Sequence, residues 1–87
     1  MLIISSKNFE KEVAKLLAKI VDNLKNRLAL FKSDPFNEVF NNHKLKGSLQ
    51  NFRSINITGD YRLFYEQYDE NTVRLIRIGT HSELYGK

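Results

Sequence analysis

Residues 53–65, RSINITGDYRLFY, fit one local structure well, a β-hairpin. β-Branched and aromatic residues flank Thr58-Gly59-Asp60, and a Gly-Asp pair suits a tight reversal. Leu63 and Tyr65 alternate with Phe64 and Glu66, so the returning strand offers apolar side chains to both faces and belongs at the centre of a sheet. The same stretch carries polar groups that packing alone does not require: Arg53, Asn56, Asp60 and Arg62.

The rest of the chain reads outward from this hairpin. Strands are expected over 49–57, 61–68 and 72–78, joined by Thr58-Gly59-Asp60 and Asp69-Glu70-Asn71; links this short make all three antiparallel. At the other end, Leu2, Ile3 and Ile4 suit a first strand, after which Ser5 or Ser6 caps a helix. Phe9, Val13, Leu16, Leu17, Ile20, Leu24, Leu28 and Phe31 recur at helical steps, with Lys11, Lys15, Lys19 and Lys25 largely between them. As one rod, residues 7–32 would be roughly 39 Å long, more than the body of about 30 Å that such a chain forms. Two helices folded back are therefore expected, with the break near Lys19, and Ser33-Asp34-Pro35 ends the helical part. Residues 37–47 are polar and irregular, a connection over the sheet edge, and 79–85 leave the sheet at Gly79 as a segment too short for another core element. The expected class is α+β over a single domain, residues 1–87: a strand, two helices packed on one face, then a three-strand antiparallel meander.

A chain of 87 residues buries only about 60 to 65% of its unfolded surface, so its core is small. It has no cysteine, which removes disulfides, thiolate metal sites and a cysteine nucleophile, and is compatible with a reducing cytoplasm. MLIISSKNFEKE turns to charge after three apolar residues, so it reads as neither a secretory signal nor a membrane span. Fourteen Lys and Arg against ten Asp and Glu leave +4. That excess favours a polyanionic partner, although small soluble domains also carry it as solvated surface.

Phosphate-binding glycine loops, metal-spaced histidine pairs and nucleophile elbows are all missing from the sequence, and no cofactor is implied. Acid-base chemistry remains. His43, Asp60 and His81 each fall at an element boundary, where a meander can bring them to one edge of the sheet; Arg53, Arg62, Arg77, Lys44 and Lys46 could hold a phosphate. Each has an ordinary alternative. His43 can be a loop residue, Asp60 a turn residue and His81 a cap; Arg62 and Arg77 can cover apolar surface with their stems, and Tyr85 can pack on the sheet.

Three segments, His43-Lys44-Leu45-Lys46-Gly47, the hairpin 53–65 and Ile78-Gly79-Thr80-His81-Ser82-Glu83-Leu84-Tyr85, together with the order of elements, resemble the RelE superfamily of bacterial type II toxins, in its YafQ-like branch of mRNA interferases. The resemblance implies a RelE/ParE-like fold and metal-independent cleavage of mRNA on the ribosome, in which a ribose 2′-hydroxyl is activated against the neighbouring phosphate. By likeness His43, Asp60 and His81 are the acid-base set, Arg62 holds the phosphate and Tyr85 is the aromatic near the end. Lys44, Lys46, Arg53, Asn56 and Arg77 would contact RNA. The implied partners are a cognate antitoxin, mRNA and ribosomal RNA, with operator DNA reached only through the antitoxin complex and no membrane. Asn56 stands where the YafQ pattern has a second histidine; it can donate a hydrogen bond but cannot titrate. Two alternatives stay open: a ParE-like DNA gyrase inhibitor, which needs no acid-base set, and a catalytically weakened relative that mainly binds antitoxin.

Overall fold

A computed structural model describes residues 1–86. The chain runs β1 (Leu2–Ser5), α1 (Lys7–Val13), α2 (Ala18–Ser33), β2 (His43–Lys44), β3 (Arg53–Asn56), β4 (Tyr61–Asp69), β5 (Thr72–Thr80) and α3 (His81–Tyr85), with 3-10 turns at Glu38–Phe40 and Gly47–Leu49. The strands form one five-stranded sheet in the order β1-β5-β4-β3-β2. The expected α+β class holds, as do the hairpin and the central position of its returning strand.

Several details differ. The helical break covers residues 14–17 rather than Lys19: Lys15 and Leu16 close tight turns onto Glu12 and Val13, and Leu17 is extended. Leu16 packs against the core there while Leu17 is 72% exposed, so burial of one leucine sets the corner without a Gly or Pro. The meander is flanked by two further strands. β1 lies parallel to β5, Leu2 opposite Thr72 through Ser5 opposite Leu75. β2 pairs antiparallel with β3, whose expected first residues instead form the Gly47–Leu49 turn and its exit. The segment expected to be too short for the core is α3, and its Leu84 is buried.

Each face of the sheet has its own apolar cluster. On one face Phe9, Leu24, Phe31 and Phe40 meet Ile55, Leu63, Tyr65, Val73, Leu75 and Ile78, with Phe31 edge-on to both Phe40 and Tyr65. On the other, Phe64 is covered by Leu45 and Leu84. The expectation of helices on one face therefore holds for α1 and α2, whereas α3 covers the opposite face.

Beyond Leu75, no strand lies on the outer side of β5 among the described residues, and Ser6, Glu12 and Glu83 take up its backbone groups. Ser6 donates its N–H to the Leu75 carbonyl and its hydroxyl to the Ile76 carbonyl. Glu12 accepts the Ile78 N–H at 3.0 Å, and Glu83 accepts the Thr80 N–H at 2.7 Å. Carboxylates on its N–H groups blunt this edge as a template for another strand. Among the described residues no helix is long and apolar enough to cross a membrane.

Candidate functional site

The face covered by α3 gathers most of the chemistry-bearing residues. α3 starts at a capping box: the Thr80 hydroxyl accepts the Glu83 N–H at 3.2 Å while the Glu83 carboxylate accepts the Thr80 N–H. The Thr80 backbone bond, followed by the Thr80 hydroxyl and the charge of Arg77, holds the Glu83 carboxyl below the usual carboxylate range. Gly79 lets the helix lie close, since a β-carbon there would stand 3.1 Å from Glu83 Oε1. One helical turn apart, His81 and Tyr85 stack with ring centroids 4.4 Å apart and planes at 25°. Phe64 stands perpendicular to Tyr85 at 5.4 Å.

His43 comes to this helix from the sheet edge. Its Nδ1 lies 2.8 Å from the Asn41 carbonyl. A carbonyl only accepts, so Nδ1 carries the proton and the neutral ring keeps its lone pair on Nε2, in an exposed side chain. Asn41 aims that carbonyl from a left-handed conformation, φ 44°. His43 and Tyr85 line one cavity of about 330 Å³ with Lys44, Leu45, Lys46 and Leu49.

The hairpin turn joins α3 through the backbone, as His81 N–H donates to the Asp60 carbonyl at 2.9 Å. The Asp60 side chain is exposed. Arg62 braces that turn: its Nη1 donates to the carbonyls of Thr58, Gly59 and Tyr61 at 3.1, 3.2 and 3.1 Å. Across the sheet Arg62 sits between Asn56 and Gly79. Lys46 is exposed at the cavity rim, whereas Lys44, opposite Arg53 on β3, is exposed with its side chain on the other face. Ser54, the cross-strand neighbour of both His43 and Phe64, is fully buried, and its hydroxyl has no hydrogen-bond partner among the described residues.

Two of the predicted cations are engaged elsewhere. Arg53 shares the parity of Ile55 and so the α2 face; its Nε donates to Asn42 Oδ1 at 2.7 Å, Asn42 donates to the Tyr65 hydroxyl, and its guanidinium lies over Phe36. Arg77 pairs with Glu12 at 2.7 Å and lines a separate cavity of about 230 Å³. Asn41, Leu45, Leu49 and Glu83 were not singled out from sequence. For Glu83 a signal existed: Thr80-His81-Ser82-Glu83 is the S/T-x-x-E capping box. The other three follow from tertiary packing.

A family model described as "Bacterial toxin of type II toxin-antitoxin system, YafQ" matches residues 2–86. The chain belongs to the YafQ toxin family. Solved YafQ from E. coli strain BL21(DE3) is 28% identical, with a TM-score of 0.79 and 97% of each chain covered. YafQ in the E. coli DinJ-YafQ complex is 26% identical, with a TM-score of 0.76 and 97% of each chain covered. A metal-bound toxin from Helicobacter pylori is 32% identical, with a TM-score of 0.68, covering 97% of this chain and 98% of its own. No curated protein sequence matches significantly. In this YafQ-family chain no three His, Cys, Asp or Glu side chains cluster as metal ligands among the described residues.

Proposed function

We propose that this toxin is a ribosome-dependent mRNA endoribonuclease that acts by acid-base chemistry in the cytoplasm. The observation that carries the reading is His43, whose Nδ1 is tied to the Asn41 carbonyl so that Nε2 is left as a proton acceptor at the mouth of a cavity shared with Tyr85. In this reading a base takes the proton of a ribose 2′-hydroxyl, O2′ attacks the adjacent phosphorus, and the bond to the leaving 5′-oxygen breaks. That oxygen takes a proton from the acid, leaving a cyclic phosphate. His43 is the base, His81 with Asp60 the acid side, and Arg62 neutralises charge on the phosphate. Lys44 and Lys46 grip backbone phosphates, so binding weakens as salt rises. YafQ in the E. coli structure is bound to DinJ; by likeness a cognate antitoxin covers this face and silences the toxin.

A second reading, a relative that mainly binds antitoxin, draws on Asn56, which pairs with Arg62 across β3 and β4 and cannot titrate. Expression with and without the antitoxin, with mRNA ends mapped, separates the two. Growth arrest with new ends inside translated messages is expected; unchanged growth with intact messages would sink the nuclease reading, and a supercoiling assay on the same material tests gyrase as the target. A His81→Ala variant cleaving at the parent rate would remove His81 from the chemistry.

A further inference from the structure

We propose that the cavity between β2 and α3 is a nucleobase pocket, with Leu45 and Leu49 as its apolar wall, the Lys44 backbone at its edge and Lys46 as the cation for the phosphate of the same nucleotide. This rests on the RNA reading above and deepens it. It names the part of the substrate that is held, and it gives a specificity role to two leucines with no acid-base chemistry.

The cavity measures about 330 Å³, at the small end of the ligand-pocket range of about 300 to 1,000 Å³. That suits one planar heterocycle better than an extended strand. Its lining is divided in the way a nucleotide is divided. Leu45, Leu49 and the Tyr85 ring form the apolar part, while Lys46 stands exposed at the rim with His43; Lys44, opposite Arg53 on β3, has its side chain on the other face and lends the cavity its backbone. Single-strand sites combine an apolar platform for the base with cations along the backbone. One face of the Tyr85 ring is taken by His81, and Phe64 stands perpendicular to it, so contact with a base falls largely to the leucines. Leu45 is anchored beneath by Phe64 and Leu84. Leu49 is half-buried and ends the turn that Gly47 opens at φ +65°, a conformation that favours glycine.

The wall also has polar groups for a base edge. His43 pairs with Ser54, and the Leu45 N–H donates to the Phe52 carbonyl. Alternation along an antiparallel ladder therefore turns the N–H and C=O of Lys44 outward from the sheet edge, where they offer a donor and an acceptor. A nucleotide seated here brings its ribose phosphate to the rim that His43 shares.

Isotope-labelled protein titrated with the four nucleoside 5′-monophosphates, and with ribose 5-phosphate as the base-free control, tests the pocket by NMR. Nucleotides are expected to shift the Leu45 and Leu49 methyl signals saturably and to bind about tenfold more tightly than ribose 5-phosphate, the size of one lost base contact. Ribose 5-phosphate should shift the Lys44 and Lys46 amides alone. Leu49→Ala should erase the advantage of the base with the rest of the spectrum in place, and Leu49→Met should retain it. Equal binding of nucleotides and ribose 5-phosphate, with unmoved leucine methyls, overturns the pocket but leaves mRNA cleavage standing; absent cleavage on ribosomes with intact base-dependent binding does the reverse.

Discussion

Gly79 and Leu84 stand so close that a β-carbon on residue 79 would lie 3.2 Å from Leu84 Cδ2. With alanine there, Glu83 and Leu84 must give by a few tenths of an ångström, and both lie on α3, which carries His81 and Tyr85. Gly79→Ala is expected to cost about 1 to 3 kcal/mol of stability and, under the proposed activity, to lower the cleavage rate more than it changes KM. The ring-current shift that Tyr85 imposes on the His81 imidazole protons should shrink in parallel. Unaltered His81 signals in the variant would show that the helix absorbs the methyl group without moving.

Asn41 sets the tautomer of His43 from a left-handed backbone. Glycine takes that conformation freely and a β-branched residue does not. Asn41→Gly should remain within a few tenths of a kcal/mol of the parent, whereas Asn41→Val should lose about 1 to 2 kcal/mol and cleave more slowly. Denaturant unfolding and histidine nitrogen NMR of the two variants measure both effects; a valine variant with Nδ1 still protonated and full activity would count against this role.

Glu12 carries two loads, the Arg77 guanidinium and the Ile78 N–H. The ion pair is partly solvated and contributes at most about 1 kcal/mol, so the stranded N–H dominates. Glu12→Ala should therefore destabilise by about 1 to 3 kcal/mol, Glu12→Gln by clearly less, and Arg77→Ala least. A chemical denaturation series decides it, and equal losses for Glu12→Ala and Arg77→Ala would contradict the ranking.

The Glu83 carboxyl is held low by the Thr80 bonds. A lowered value in the folded state means that its contribution to α3 is complete above the ordinary carboxylate range and fades as pH falls through the folded value. Protection factors of the α3 amides, taken against the intrinsic exchange rate at each pH, should fall on acidification before those of the central strands respond. Glu83→Gln should flatten that acid limb, and an unchanged acid profile in the variant would assign the fraying to another group.

What could be read in advance was local. The hairpin combines a period of two with a Gly-Asp turn inside thirteen residues, so Leu63, Phe64 and Tyr65 were placed correctly. Alternation from Ile55 sends Arg53 to the helix face, whereas its charge suggests a place among the cations that hold phosphate. Features set at a distance were hidden. Arg77 is claimed by a glutamate 65 positions away, the helical corner depends on where Leu16 finds the core, and a two-residue strand at His43 is shorter than any periodic window. Candidate chemistry was legible as residue types at element ends, but the cavity uniting His43 with Tyr85 needed the sheet order.

The first strand is held by the last one. Ser6 and Ile76, 70 positions apart, are hydrogen-bonded, and among the described residues β1 pairs with β5 alone. Contacts of such sequence separation form late, after the loop entropy between them has been overcome. A chain still being synthesised thus lacks both a seat for β1 and the helix that closes the cavity until residues 72–85 have cleared the ribosomal tunnel. Under the proposed activity, a nascent chain stays harmless until β5 and α3 are free to dock.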